Sequence, residues 1–360
     1  MYEGASRTLP NLHARMERHR RSRLPSSLFT TSTLDHAERF SAWRESMRVF
    51  LDSSRPRTPD SFTGEVEGYL IGDILLTRGI ASAQKYDRPS SKIAGDGLDH
   101  YMIQVFIDGY TEMTLGRRTV KSRPDAPIAF DLGEILDSHN SNFDILCVVI
   151  PRTLLAPLLL RPDSVHGQVP DPESGAGRML ADFMGSLYLA APWLTPLDSM
   201  AAVRALLELA AAALNGTATH DATAADHALL LKAQRFIREN LAFGDLSPER
   251  VALAIGISRT ALYNLFQPLG GVASCVRELR LRRCLSEIMS ARQKDMRVSE
   301  IAYRWGFTNA AHFTRAFKQR FGRTPSDARA AAEAISLQGA IELDPRIGDR
   351  RYETWLATLA

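Results

Sequence analysis

Side chains of the kind that read DNA bases occur in two short runs of this chain, at 259–266 and at 309–321. The first run contains Asn264, and the second contains Arg315. Asparagine can form two hydrogen bonds with an adenine edge, arginine can do the same with guanine, and alanine can touch a thymine methyl group. The chemistry that these residues could supply is therefore recognition of base edges in double-stranded DNA.

Each run is preceded by a sequence pattern that is typical of a helix-turn-helix motif. The pattern has an alanine, three residues, a glycine, an apolar residue and then serine or threonine, at 252–258 and again at 302–308. Alanine lets two helices approach closely, and glycine adopts the turn conformation that a side chain would penalise. Ser258 or Thr308 could then cap the helix that follows. Two such copies in tandem predict two recognition helices.

The spacing of apolar residues predicts which side of each recognition helix faces the solvent. Phe313, Phe317 and Phe321 recur every four residues and are expected in the core, so the opposite side of that helix points outward. We expect the outward set to be Arg259, Thr260, Tyr263 and Asn264 in the first helix, and Asn309, Ala310, Ala311, His312, Thr314, Arg315 and Lys318 in the second.

Positive charge is concentrated around these helices. Residues 228–330 hold 18 Lys and Arg against 8 Asp and Glu, whereas the rest of the chain holds 26 against 33. A basic module joined to an acidic one is typical of a polyanion-binding domain with a partner domain that does not bind the polyanion. A long helix predicted at 277–291 would hold the recognition helices about one DNA turn, ~34 Å, apart. The predicted phosphate contacts are Arg259, Arg277, Arg280, Asn309, Lys318 and Arg320.

The run 301–326 resembles the C-terminal domain of AraC/XylS-type transcription regulators. It carries the Ile-Ala, Gly-Phe, Phe-x3-Phe, Phe-Gly and Thr-Pro elements of that family at the expected distances, and the resemblance covers about 100 residues. It implies a sequence-specific DNA-binding transcription regulator, expected to be an activator. Pro268–Gly271 departs from the family, whose members usually have charged residues there. The resemblance places the base-reading positions on Thr260, Tyr263, Asn264, Ala310, Ala311, His312 and Arg315.

The N-terminal half reads as a series of short strands separated by turn signals. A helix is predicted at Asp35–Met47 before the strands, and further helices are predicted at 154–160, 177–190 and 197–214 after them. The strand series predicts an antiparallel barrel or a double-sheet jelly roll. The fold class is therefore α+β. The predicted strands are Gly64–Tyr69, Gly72–Gln84, His100–Tyr110, Tyr110–Leu115, Ile128–Asp131 and Phe143–Ile150.

This half resembles the cupin-like N-terminal domain found in one branch of the same family. The resemblance rests on Phe40, Trp43 and Arg44 in the first helix, on the strand series and on the segment 149–155. It implies that the domain senses a small molecule, dimerises, or does both. A pocket could be lined by Met102, Gln104 and Phe106 or by Tyr101, Ile103 and Val105, since alternate residues of a strand face opposite sides.

These patterns predict a division of the chain into six segments. A basic, disordered tail (1–27) precedes the cupin-like β domain (28–160) and a helical hairpin (161–218) that could form a dimer contact. A linker (219–227) leads to the DNA-binding domain (228–330), for which we expect seven helices. A C-terminal extension (331–360) follows, with a possible short helix around Tyr352–Leu359.

Several other classes of protein are disfavoured by the sequence. His100 and His139 form no His-x-His pair and have no Glu at metal spacing, so we predict no metal, no cofactor and no catalytic residues. Three cysteines without a CxxC pair fit a reducing cytosol. We find no apolar run of about 20 residues and no secretory signal, so we expect a cytoplasmic protein without a membrane partner.

The expected partners are double-stranded DNA, RNA polymerase, an unknown small-molecule effector and a second copy of the chain. Two alternatives remain at this point. One is a co-regulator that binds DNA without a ligand, and the other is a cupin-type enzyme fused to a DNA-binding module.

Overall fold

The N-terminal half folds as two antiparallel sheets. The computed structural model describes residues 22–54, 62–116, 118–171, 174–216, 224–242, 246–289, 296–330 and 345–359. The predicted α+β class is confirmed, and the β domain takes the double-sheet form rather than that of a single closed barrel. The strands are β1 (Ser26–Thr30), β2 (Asp52–Ser54), β3 (Gly64–Ile71), β4 (Ile74–Ala81), β5 (Gln84–Arg88), β6 (His100–Asp108), β7 (Thr111–Leu115), β8 (Arg118–Lys121), β9 (Pro127–Asp131), β10 (Leu136–Asn140) and β11 (Phe143–Pro151).

The two sheets have different strand orders. The larger sheet runs β1-β3-β4-β11-β6-β9 and the smaller one β2-β5-β10-β7-β8, with antiparallel pairing between the neighbouring strands. Strand β6 is buried on both faces. Met102 and Phe106 belong to a core that includes residues of both sheets, whereas Tyr101 and Ile103 belong to a second core against helices. Of the two predicted faces of β6, the one with Met102 and Gln104 lines a cavity, although Phe106 of the same face is not among the lining residues.

Helices cover the outer face of the larger sheet and its ends. Helix α1 spans His36–Met47, as predicted, and the short helix α2 spans Ser90–Asp96, which the sequence did not predict. After β11 come α3 (Arg152–Leu155), α4 (Gly175–Ala190) and α5 (Pro196–Asn215). Thr195 caps α5 through a reciprocal pair of bonds with Asp198. Helices α4 and α5 form a hairpin whose buried leucines and alanines complete the second core.

The C-terminal region is helical throughout its described residues. Its helices are α6 (Ala224–Glu239), α7 (Pro248–Ile255), α8 (Arg259–Phe266), α9 (Val272–Met289), α10 (Val298–Arg304) and α11 (Ala310–Phe321), and residues 325–330 are also helical. Among the residues described, these seven helical segments match the number that we expected. No helix in the described ranges is both long and apolar enough to cross a membrane.

Several predicted boundaries and caps are wrong by a few residues. Strand β1 begins at Ser26, inside the predicted tail, because it pairs with β3, and α6 begins at Ala224, inside the predicted linker. The other tail residues up to 21, and linker residues 219–223, lie outside the described residues. One of the two predicted caps is also wrong, since Asn309 rather than Thr308 caps α11, whereas Ser258 caps α8 as predicted.

The C-terminal extension returns to the N-terminal domain. Its helix, α12 (Arg351–Thr358), packs against β1 and β3, and Phe29 forms an isolated bridge with Gly348 just before it. Gly348 has φ of +81°, and a Cβ at this position would lie 2.3 Å from the carbonyl oxygen of Leu28. Glycine is therefore needed both for the backbone conformation and for the close approach.

Candidate nucleic-acid interface

The first helix-turn-helix motif consists of α7 and α8. Gly256 adopts a left-handed conformation with φ of +80° between them, as the pattern predicts. The hydroxyl of Ser258 accepts a hydrogen bond from the amide of Ala261 at 3.1 Å and so caps α8. Leu262 and Phe266 are fully buried beneath this helix. The remaining side of α8 faces away from the core.

The second motif consists of α10 and α11, and it repeats this construction. Gly306 has φ of +78°, and the side-chain oxygen of Asn309 accepts a hydrogen bond from the amide of His312 at 2.9 Å. The rings of Phe313, Phe317 and Phe321 pack in series, with successive centroids 5.5 and 4.7 Å apart. This row of rings orients α11 so that its polar side is outward.

The predicted base-reading residues lie on the outward sides of these two helices. Those of α8 are exposed, and those of α11 are exposed except for Ala310, which is half-buried. Tyr263 is braced by Arg259, whose guanidinium donates to the phenol oxygen at 3.2 Å and also pairs with Glu249 at 2.8 Å. Arg259 thereby restrains the side chain of Tyr263 on the outward side of α8. The base-reading assignment itself stays a prediction for Thr260, Tyr263, Asn264, Ala310, Ala311, His312 and Arg315.

The predicted phosphate contacts divide into two groups. Arg259, Arg277, Asn309 and Lys318 are exposed, although Arg259 and the Asn309 oxygen also have the protein partners described above. Arg280 instead donates to the carbonyl oxygens of Leu241 at 3.2 Å and Gly306 at 2.9 Å. It therefore joins the end of the first half of the domain to the turn of the second.

Arg320 is also directed toward the protein. Its guanidinium pairs with Glu278 at 2.9 Å and with Glu134 of the N-terminal domain at 2.5 Å. A phosphate contact from Arg280 or Arg320 would require these bonds to break. The sequence pattern could not separate them from Lys318, because a glutamate partner more than a hundred residues away leaves no local signal.

Helix α9 sets the separation of the two motifs. It has 18 residues, which correspond to a length of about 27 Å at the rise of an α-helix. This length is close to the ~34 Å between successive major grooves on one face of DNA. A single helix thus joins the two helix-turn-helix motifs.

Comparison with known proteins identifies both halves of the chain. Residues 251–331 match a family described as a helix-turn-helix domain, and residues 48–215 match the AraC-binding-like domain. Together the two matches cover more than half of the chain. The chain belongs to the AraC-type transcription regulators. It is a DNA-binding transcription regulator with an N-terminal domain of the AraC-binding type.

Relatives of this AraC-type regulator span both domains. The transcriptional activator NphR of Rhodococcus sp is 25% identical over 313 residues, which are 82% of this chain and 90% of NphR. The crystal structure of the AraC-like transcriptional activator CuxR is similar with a TM-score of 0.53 and 25% identity, over 71% of this chain and 94% of CuxR. PqrA of Proteus vulgaris, a probable transcription factor, is 35% identical over 81 residues, 22% of this chain and 66% of PqrA.

A cluster of buried charges joins the two domains of this AraC-type regulator. Arg282 of α9 is 5% exposed and donates to Asp99 of the N-terminal domain at 2.6 Å. It also lies 3.4 Å from Glu134 and 3.7 Å from Asp131. Arg152 forms a second centre in the same cluster and pairs with Asp99 at 2.6 Å and with Asp131.

The charges of this cluster stabilise one another. Burial alone would raise the pKa of Asp131, but the nearby guanidinium groups of Arg152 and Arg282 hold it well below its usual range. Burial would likewise raise the pKa of Asp99, but Arg152 and Arg282 outweigh that effect and lower it. Arg282 was not predicted as a functional residue, although its position among Leu281, Cys284 and other apolar residues of α9 indicates burial.

Apolar contacts surround this charge cluster. Ile93 and Ala94 of α2 share a core with Phe313 and Phe317 of the second helix-turn-helix motif. A Cβ on Gly97 would lie 2.6 Å from Met289 of α9. The N-terminal domain therefore holds the helix that spaces the two motifs as well as the second motif itself.

The N-terminal domain also contains a cavity. Its lining includes Met102 and Gln104 of β6 together with Trp43 of α1 and Tyr352 of α12. The two histidines weighed for a metal site lie apart, with His100 buried in β6 and His139 exposed in β10 of the other sheet. Within the described residues, no group of three or more His, Cys, Asp or Glu side chains is arranged to hold a metal ion.

Proposed function

We propose that this regulator is an activator that reads two successive major grooves with α8 and α11, and that a small effector bound in the N-terminal domain controls it. NphR and CuxR, which are similar over both domains, are named transcriptional activators. The observation that carries the proposal is the double role of α9. This helix spaces the two reading surfaces, and its Arg282 is bound by carboxylates of the N-terminal domain.

The proposed control follows from that contact. A ligand that binds one arrangement of the N-terminal domain more tightly shifts the population toward it. Movement of the segments around Asp99 and Glu134 would alter the position of α9 and of Arg320 on α11. DNA affinity would change as a result, and reciprocally DNA would change the affinity for the effector.

The proposed contacts with DNA are of two kinds. Base edges are read by Thr260, Tyr263 and Asn264 in one groove and by Ala310, Ala311, His312 and Arg315 in the next. Arg259, Arg277, Asn309 and Lys318 bind phosphates, and Arg280 and Arg320 would join them only after leaving their protein partners.

A second copy of the chain and RNA polymerase are the proposed protein partners. The tip of the α4–α5 hairpin exposes Leu189, Trp193, Leu197 and Met200, and Leu197 is 76% exposed. Large exposed apolar side chains that lie close together are typical of a protein contact. We propose that this tip forms a homodimer, that an activator of this type contacts RNA polymerase, and that the chain has no enzymatic activity.

Selection from a random pool of double-stranded DNA by the full-length protein tests this function. We expect enrichment of a motif with two parts whose centres lie about 10 base pairs apart, because each recognition helix enters its own groove. Failure of the pool to enrich any sequence would overturn the proposal of sequence-specific binding.

The salt dependence of the affinity for the selected DNA tests which residues contact phosphates. Lys318→Ala should reduce the slope of log affinity against log salt by about 1, as expected for one lost phosphate contact. Arg304→Ala is the control, since Arg304 is an exposed arginine of α10 that pairs with Glu287 at 3.3 Å. An equal change in slope for both variants would contradict the assignment of Lys318.

A further inference from the structure

The C-terminal helix forms part of the wall of the cavity in the N-terminal domain. Tyr352 and Leu356 of α12 line it together with Trp43 and Met47 of α1 and with residues of strands β3, β4, β6 and β11. Both α12 side chains are 2% exposed and belong to the core of that domain. A helix that follows the DNA-binding domain in the chain thus completes a site in the sensor domain.

The cavity is suited to a neutral and mostly apolar molecule. None of its lining residues carries a charged side chain, and most are aliphatic or aromatic. Gln104 supplies a carboxamide, and its amide nitrogen makes a long 3.7 Å contact with the sulfur of Met102. Its other partner is the thiol of Cys147. Sulfur atoms are weak hydrogen-bond partners, so one polar group of a ligand can replace them at the carboxamide.

The cavity is too small for such a molecule while α12 is in place. Its free volume is about 60 Å³, whereas a cavity of about 150 Å³ holds a benzene ring. Most of the other walls are strands of the larger sheet, whose displacement would break backbone ladders. Helix α12 lies outside both ladders, so its withdrawal would enlarge the site without unfolding a sheet.

Hydrogen bonds to β1 and to α1 hold α12 and the residues just before it in place, and those to β1 join Asp349 and Arg351 to residues 26–28. The hydroxyl of Ser46 on α1 bonds to the phenol of Tyr352 and to Glu353, and Arg350 donates to the Glu353 carboxylate at 2.8 Å. On the sheet, a Cβ on Gly68 would lie 3.4 Å from the Cβ of Tyr352. Helix α12 is therefore a separate segment that docks on α1 and the larger sheet.

We propose that α12 is an internal plug of this cavity, and that a neutral aromatic ligand of about one or two rings binds by displacing Tyr352 and Leu356. The ligand replaces their apolar contacts with Met102, Trp43 and the β strands, and one polar group of the ligand bonds to Gln104. Release of α12 removes one attachment of the DNA-binding domain to the sensor domain. This inference deepens the effector control proposed above, and it names the class of effector.

Binding of indole to the full-length chain, without DNA, tests the site. Leu356→Ala shortens the plug and should increase the affinity for indole at least tenfold over the wild-type protein. Leu359→Ala is the matched control, because Leu359 lies at the end of the same helix and is not among the residues that line the cavity. Benzoate should bind neither protein, since the walls offer no cation.

Hydrogen exchange of 351–358 tests the displacement itself. Saturating indole should speed exchange of these amides about tenfold in the wild-type protein. Gly348→Ala should do the same without ligand, because its Cβ would clash with Leu28, whereas Gly116→Ala places a Cβ in open space at a similar positive φ and should not.

Two results would contradict the proposal. Indole binding with unchanged or slower exchange at 351–358 would mean that the ligand lies beneath a closed helix. Absence of indole binding to both the wild-type protein and Leu356→Ala would exclude the cavity as a site for this class, and would favour control without a ligand. Neither measurement uses DNA, so the DNA-reading proposal can succeed or fail independently.

Discussion

Arg282 of α9 donates a hydrogen bond to Asp99 at 2.6 Å and thereby joins the DNA-binding domain to the sensor domain. The two residues are 183 positions apart in the chain. Arg282 is almost fully buried, and its other carboxylate neighbours in the sensor domain come from two further segments. Asp131 and Glu134 lie at the end of β9 and in the turn that follows it, and Asp163 lies in a later turn. Through Arg282, α9 is paired with carboxylates from three segments of the sensor domain.

Loss of Arg282 should destabilise the protein strongly. Arg282→Ala leaves Asp99 and Asp131 buried with one guanidinium fewer, and breaking a buried ion pair in this way costs about 3–5 kcal/mol. The free energy of unfolding, measured in urea, should fall by that amount.

The control for this change is Arg304→Ala. It removes an exposed ion pair between Arg304 of α10 and Glu287, which lies on α9 as Arg282 does. Exposed pairs contribute about 0–1 kcal/mol, so this variant should unfold almost as the wild-type protein does. Equal losses for the two variants would mean that the domain contact is weaker than its burial indicates.

Stability should depend on pH through His100. Burial lowers the pKa of this imidazole to about 4, and neither of its nitrogens has a hydrogen-bond partner within the described part of the chain. Between about pH 6.5 and about pH 4 the unfolded chain binds a proton that the folded chain does not bind, so stability falls as the pH falls. The loss is on the order of 3 kcal/mol, since each unit of difference corresponds to about 1.4 kcal/mol.

The difference in unfolding free energy between wild type and His100→Leu isolates this contribution. We expect the difference to change between about pH 6.5 and pH 4 and to be constant below and above that window. A flat difference for His100→Leu would show that folding does not lower the pKa of His100.

The exposed tip of the hairpin should control oligomeric state. Leu197→Glu places a charge among Trp193, Met200 and Leu189, and should convert a dimer to a monomer in sedimentation at micromolar protein. Leu253→Glu is the matched control, because Leu253 of α7 is 83% exposed but lies in the DNA-binding domain. A wild-type protein that sediments as a monomer, or a dimer that survives Leu197→Glu, would contradict the proposed contact.

The helix-turn-helix motifs could be predicted because their determinants are local. Gly256, Gly306 and the row of phenylalanines from Phe313 to Phe321 each constrain a turn or a helix face within a few residues. The strands that the sequence missed, such as β5 and β10, are polar and pair with each other in the smaller sheet. Their form comes from cross-strand bonds rather than from an apolar alternation, so local pattern could not identify them.

The contacts between domains could not be predicted for a similar reason. Arg320 carries the same local signal as Lys318, yet its partner Glu134 lies 186 residues away. The docking of α12 likewise depends on Ser46, which is 306 residues from Tyr352. Pattern within one helix indicates which side is polar, but it does not indicate whether DNA, solvent or another domain lies opposite that side.

The most direct test of the account is base preference measured for two substitutions on the selected DNA motif. Arg315→Ala and Asn264→Ala should each weaken specific binding by about 1–3 kcal/mol if each side chain makes a two-bond contact with its base. The two variants should relax preference at different base pairs, separated by about 10 base pairs, because α8 and α11 occupy successive major grooves. Loss of preference at the same base pairs for both variants, or an unchanged ratio of specific to non-specific affinity, would contradict the account.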